Sequence, residues 1–331
     1  MAKNIQCAEV PVGVVGLGMM GCSIATCLLM AGHPVMAIAP IDADLEHALP
    51  RISKHLQRAH KEGLTKTDPS ALERNLIIST DYNQIKPCQV VIECTIEDLT
   101  IKKSVYQKIE AVIDQDAILT SNTSAIPISI LQKETTHPDR FFGLHWAEPS
   151  HTTRFLEVIC GEKSELTKGE YLYDLAHYWS KEPTLVKKDI RGFIGNRLMY
   201  AMYREACWLV ENGYASVEDV DRACRNNTGY WMTLVGVFGW MDLTGVPAYH
   251  TVMKDLLPTL SNQKEVPKLI DDIVKAGGKG LANGHGFYKY TEEEKKMWEE
   301  TFTEFTYDIR KIALKYPADV VQQRLKKKKD G

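Results

Sequence analysis

A hydride can leave a carbon only if a base takes the proton from the hydroxyl that carbon bears. Histidine suits that task because it titrates near neutrality. His145 closes a short apolar run, Phe141–Leu144, and Glu157 stands in the next such run. A carboxylate behind an imidazole fixes its tautomer and stabilises its cation. The run Ser121-Asn122-Thr123-Ser124 follows another apolar stretch. Hydroxyl and amide side chains of this kind can hold a reacting oxygen.

The partner for such chemistry is suggested near the N-terminus. Gly16-Leu17-Gly18-Met19-Met20-Gly21 follows the apolar run Val10–Val15 and precedes a helical stretch. The first glycine permits a tight turn, the second lets the backbone approach a pyrophosphate, and the third lets helix and strand pack closely. Phosphates then lie at the positive end of a helix. The pattern therefore predicts a dinucleotide site.

The elements that must position these groups alternate. Strands are expected at Val10–Val15, Val35–Ala39, Leu76–Ser79, Val90–Cys94, Ile118–Ser121, Arg140–His145 and Leu156–Cys160. Helices are expected at Met19–Ala31, Asp44–Glu62 and Ile101–Ile113. Alternation with near-continuous apolar strands predicts an α/β Rossmann-type domain with a mostly parallel sheet over 1–189. Ligands of such sheets bind beyond the carboxyl ends of strands, where Ser124 and His145 fall. After Lys187 the pattern is helical, with helices expected at Asn196–Asn212, Val217–Asn226 and about 248–257 and 266–276, so 190–290 reads as an all-helical domain. In 291–331, Trp298, Phe302, Phe305, Ile309, Ile312 and Tyr316 recur at three- and four-residue steps. Core or subunit packing is the expected use of that stripe.

Taken together, these motifs resemble the L-3-hydroxyacyl-CoA dehydrogenase family. The matching segments are Val14–Gly21, Glu97 to Lys102, Ser121–Ser124, Gly143–His145 with Pro149, Leu156–Val158, Gly192–Leu198 and Lys279–Tyr290. The resemblance implies His145 as general base oriented by Glu157, with Ser124 and Asn196 on the substrate's oxygens. It implies Glu97, Lys102 and Asn122 at the nicotinamide-ribose end of an NAD site. It also implies reversible NAD-dependent oxidation of a 3-hydroxyacyl-CoA, and a homodimer formed through the helical domain. Oxidation of a free hydroxy acid, as in gulonate or carnitine dehydrogenases, is the alternative, and a non-catalytic binding role is a third.

Some positions depart from the family pattern. Ala39 stands where an acid usually meets the adenine ribose, with Asp42 and Asp44 just downstream and no Arg or Lys to greet a 2′-phosphate. Glu148 replaces a usual Asn, and a second carboxylate beside His145 is expected to favour imidazolium. Trp231, Phe238 and Trp240 make the region around Gly236-Val237-Phe238-Gly239 aromatic. Lys54, Arg58 and Lys61 are the candidates for contacts to a CoA moiety.

Composition narrows the rest. The 331 residues are 44% hydrophobic and 25% charged, with a formal net charge of -3. That balance offers no general attraction to nucleic acid. No apolar run is long enough to span a bilayer, and no secretory leader is legible, so a cytoplasmic location is expected. The basic run Lys326–Lys329 reads as a solvated tail. Eight scattered cysteines without a C-x-x-C pair read as free thiols in a reducing compartment, and no metal site is expected.

Overall fold

The computed structural model describes residues 5–329. The strands are β1 (Val12–Val15), β2 (Val35–Ile38), β3 (Leu76–Ser79), β4 (Val90–Glu93), β5 (Ile118–Ser121), β6 (Phe141–Trp146), β7 (Leu156–Cys160) and β8 (Thr184–Val186). They form one sheet in the order β3-β2-β1-β4-β5-β6-β7-β8. β1 to β6 run parallel, β7 pairs antiparallel with β6, and β8 pairs parallel with β7. Strand order reverses at the β1–β4 junction, which makes the crevice where open α/β sheets take ligands.

The helices around this sheet are α1 (Met19–Met30), α2 (Asp42–Lys61), α3 (Pro69–Glu73), α4 (Leu99–Glu110), α5 (Ile128–Leu131) and α6 (Leu166–Tyr178). Alternate residues of β1 serve opposite layers. Val12 and Val14 join Ile24, Leu28, Ile52 and Trp179 in one core, while Val15 joins Val91, Tyr106, Ile109 and Phe141 in the other. Burial on both faces explains why β1 and β4 read as unbroken apolar runs. α6 and β8 were not foreseen; β8 is a short edge strand, so its exposure pattern carries little hydrophobic signal.

The chain divides into two compact units after Arg197. The division falls inside α7 (Gly195–Glu211), followed by α8 (Val217–Asn226), α9 (Thr228–Met232), α10 (Val237–Thr244), α11 (Val246–Leu256), α12 (Lys268–Lys275), α13 (Glu292–Lys315) and α14 (Val320–Lys329). Among the described residues no strand follows β8; isolated bridges join Gly280, His285 and Lys289. Ser216 caps α8 by accepting from Asp219 N at 3.1 Å. Buttressing is polar as well: Glu205 accepts from Ser261 N and Glu211 from Leu269 N, each at 2.8 Å.

The final stretch is helical, as its periodicity implied, and is broken into two helices. α13 stops at Tyr316 because Pro317 lacks an N–H and pushes its predecessor out of the helical region; Tyr316 has ψ 66°. The aromatic stripe on α13 also stays outside this chain's own core, with Trp298, Phe302 and Phe305 more than half exposed. The described cysteines are all free thiols, five of them buried. No helix of the described residues is long and apolar enough to cross a membrane.

Candidate active site

The turn after β1 has the form a dinucleotide requires. Gly16 has φ +100°, and a Cβ there would lie 2.8 Å from the Cys94 backbone. At Gly21 a Cβ would fall 1.8 Å from the Gly16 carbonyl oxygen, so helix and turn touch through glycine alone. Gly18 caps α1, and nothing lies within 4 Å of its missing Cβ. That open space at a helix N-terminus is where phosphates approach. Leu17 is buried beneath the turn and Met19 is 62% exposed at its rim. These residues fit a dinucleotide. At the end of β2, Ala39 is fully buried and Asp42 and Asp44 sit in the first turn of α2.

The three glycines separate fold from binding. Gly18→Ala has room and an ordinary φ of −65°, so its thermal midpoint should match the parent while NAD affinity falls about tenfold or more. Gly21→Ala should unfold the domain instead. Differential scanning fluorimetry with and without NAD reads both outcomes.

β6 and β7 bring the expected histidine–carboxylate pair together. His145 and Glu157 are directly opposed across the antiparallel ladder, so their side chains share a face. His145 Nδ1 lies 2.8 Å from Glu157 Oε2, with side-chain exposures of 9% and 1%. With Nδ1 held, Nε2 is the nitrogen left for a substrate hydroxyl. The imidazole is wedged by Phe155 and Phe193, at ring separations of 5.4 and 5.5 Å.

Glu157 is itself fixed. Its Oε1 accepts from the amides of Ile194 and Gly195, both at 2.9 Å, at the start of α7. Those two bonds fix the carboxylate against the start of α7. The loop achieves this through Gly192 (φ +79°) and Phe193 (φ +50°). A left-handed Phe costs on the order of 1 kcal/mol, which the packing of its ring on His145 helps to hold.

Next in the same loop, Asn196 Nδ2 donates to the Ser124 carbonyl at 2.8 Å. Asn122 Oδ1 accepts from Trp146 N at 3.1 Å and so ties the end of β5 to that of β6. Glu97 Oε1 accepts from Thr123 Oγ1 at 2.5 Å and from the amides of Ser124 and Ala125. Burial alone would raise the Glu97 pKa, but the Thr123 bond, the Lys102 charge and those amides outweigh it and hold it below the usual range. Glu97, Ser124 and Asn196 are thus linked by hydrogen bonds, and Gly195, next to Asn196 in the chain, is bonded by the Glu157 that holds His145.

Lys102 occupies a different place from the one expected. It is wholly buried, with Nζ 3.0 Å from both oxygens of Glu93, 3.4 Å from Glu97 Oε2 and 3.4 Å from the Thr95 carbonyl. The ammonium is fully used and faces the site only through Glu97. Glu93 was missed by sequence reasoning. It is the centre of this network, also accepting from Ser121 Oγ at 2.6 Å and Tyr106 OH at 3.2 Å. The available signal was an acid at the end of an otherwise apolar strand, a position where burial demands a partner.

Glu148 turns toward α1. Its carboxyl bonds Ser23 and the Ser150 amide, and Ser23 Oγ also accepts from Ser150 N at 2.7 Å and lies 3.0 Å from His151 Nδ1. Burial pushes the Glu148 pKa up against those bonds and the charges of Lys181 and Arg51, and Oε2 is buried without a hydrogen-bond partner. A raised carboxyl pKa penalises the ionised form. The penalty is absent below the unfolded value, grows as pH rises through the folded value, and is complete above it. Glu148→Gln should therefore raise the melting midpoint by about 2–4 °C at pH 8 and by nothing near pH 4, measured by calorimetry.

Elsewhere, Arg58 pairs with Glu62 at 3.0 Å on α2, and Lys54 and Lys61 are exposed. Trp231 and Trp240 stack at 5.1 Å, and Phe238 is 78% exposed.

A glycine-loop cradle at the switch point and a carboxylate-backed histidine at a neighbouring strand end define an NAD-dependent oxidoreductase with a Rossmann-type domain. The chain belongs to the 3-hydroxyacyl-CoA dehydrogenase family: the family's NAD-binding domain matches residues 11–190 and its C-terminal domain matches 192–290. It is 32% identical to the 5-formyl-3-hydroxy-2-methylpyridine 4-carboxylate 5-dehydrogenase of Mesorhizobium japonicum, over 91% of this chain and 97% of that protein. It is 31% identical to a 3-hydroxybutyryl-CoA dehydrogenase of Mycobacterium tuberculosis, over 84% of this chain and 98% of that one. A crystal structure of the same pyridine-carboxylate activity, described as an NAD+-dependent dismutase, superposes with TM-score 0.87 at 30% identity, covering 93% and 99% of the two chains. The (S)-3-hydroxybutyryl-CoA dehydrogenase of Ralstonia eutropha gives 0.71 at 28% identity, covering 85% and 99%.

Proposed function

We propose that this protein oxidises a hydroxyl-bearing carbon of a small free carboxylic acid with NAD. The observation that carries the chemistry is the buried 2.8 Å His145–Glu157 pair. His145 Nε2 takes the hydroxyl proton, and Glu157 fixes the tautomer and stabilises the imidazolium that results. Ser124 and Asn196 hold the reacting oxygen. Gly16, Leu17, Gly18, Met19, Met20 and Gly21 cradle the cofactor, with Glu97 and Asn122 at its nicotinamide-ribose end and Lys102 positioning Glu97 from behind. When bound, NAD supplies the ring that accepts the hydride. A hydrated aldehyde presents the same H–C–O–H unit as an alcohol, so the pair serves either substrate.

The free-acid reading is supported by where the likeness extends. A match of 302 residues to the pyridine-carboxylate dehydrogenase cannot fit within the first 290, where the family's C-terminal domain ends. A 3-hydroxyacyl-CoA is the second reading, favoured by the family and by exposed Lys54 and Lys61 on α2. The test runs acetoacetyl-CoA reduction with NADH beside NAD-linked oxidation of gulonate, carnitine and a pyridine aldehyde acid, with and without free CoA. Turnover of a free acid that CoA does not inhibit is expected. Turnover of the thioester alone overturns this substrate class.

We take 1–189 as the NAD-binding domain, 190–290 as the substrate and dimerisation domain, and 291–331 as an extension. A homodimer is supported by the second unit, where α8, α9, α10, α11 and α12 contain no buried residue. Helices that bury nothing in their own chain are stabilised by burying their apolar faces in another.

A further inference from the structure

α13 lies beyond the family's C-terminal domain, yet it is a well-built helix of 24 residues opened by a capping box between Thr291 and Glu294. It has two uses for its surface. Thr306, Tyr307 and Arg310 are buried on one side. Another side carries Trp298, Phe302, Phe305, Ile309, Ile312 and Tyr316, at steps of four, three, four, three and four. That spacing is the 3.5-residue period of a helix-pairing seam. Trp298, Phe302, Phe305 and Ile312 are 54%, 54%, 56% and 48% exposed.

We propose that this seam pairs antiparallel with the same helix of a second copy of the chain. The inference rests on the homodimer proposed above and names its contact. Two observations select that occupant. Charge is polarised along α13. Glu292, Glu293, Glu294, Glu299 and Glu300 outnumber Lys295 and Lys296 in its first half, whereas Arg310, Lys311 and Lys315 outnumber Glu304 and Asp308 in its second. Only an antiparallel copy sets acidic end against basic end. Finally, a two-fold axis level with Tyr307 matches aromatic to aliphatic, placing Phe305 on Ile309, Phe302 on Ile312 and Trp298 on Tyr316, with Glu299 facing Lys315. An isologous contact requires such self-complementarity.

Photocrosslinking of the full-length protein tests this. With p-benzoylphenylalanine at position 302, irradiation should give covalent dimers whose crosslinked peptide contains Ile312. Phe305→Glu should raise the dimer dissociation constant about tenfold or more in sedimentation. Crosslinks confined to one chain, or dimers joined elsewhere, overturn the seam; a dimer that persists with crosslinks elsewhere leaves dimerisation standing while removing α13 from it. A monomer in sedimentation overturns both.

Discussion

His145→Ala is expected to lower kcat by about 10³-fold, the scale of losing a positioned general base. The imidazole is held on every side that the reaction does not need. Nδ1 is bound by Glu157, and the ring faces are bounded by Phe155 and Phe193. Removing it leaves a hole lined by a carboxylate that still accepts from Ile194 and Gly195. The fold should survive, so the melting midpoint of the variant should stay within a few degrees of the parent. Added imidazole should restore part of the rate. Glu157→Gln should cost less in kcat, about 10²-fold, because the ring remains but loses its fixed tautomer and the support of its cation. The measurement is NADH formation at saturating substrate. If His145→Ala kept more than about a tenth of the parent kcat, the assignment of the base would be lost.

Lys102→Met should be the most destabilising single change away from the glycines, by about 3–5 kcal/mol in urea unfolding. The reason is the partner left behind. Glu93 is fully buried, and without the ammonium its charge would face only the hydroxyls of Ser121, Tyr106 and Thr95 and the Thr95 amide. Breaking a buried pair costs more than removing both members, so Glu93→Leu with Lys102→Met should recover much of the loss. Glu97 feels the same change, since Lys102 helps keep it ionised. The single variant should therefore also weaken NAD binding. A Lys102→Met protein as stable as the parent would show that the ion pair contributes nothing.

The glycine loop and the candidate histidine were legible because local rules dictate them. Gly16, Gly18 and Gly21 are set by one strand-to-helix turn, and His145 by its place at the end of an apolar strand. Glu93 and Phe193 were not legible. Their roles depend on residues that only folding makes neighbours: Lys102, Tyr106 and Ser121 for the first, and His145 for the second.

By itself the sequence determined the alternation of elements, the cradle for a dinucleotide and the candidate for the proton acceptor. These are matters of period, turn geometry and side-chain acidity, each settled within a few residues. Tertiary structure decided the rest. It turned β7 against β6 and thereby set Glu157 opposite His145. It buried Lys102 behind Glu97 and aimed Glu148 at Ser23. It left the α13 stripe outside the core that periodicity suggested. A helical period says that a face must be covered, because water repels it; which surface covers it depends on where the other elements finish, and that is fixed only by packing.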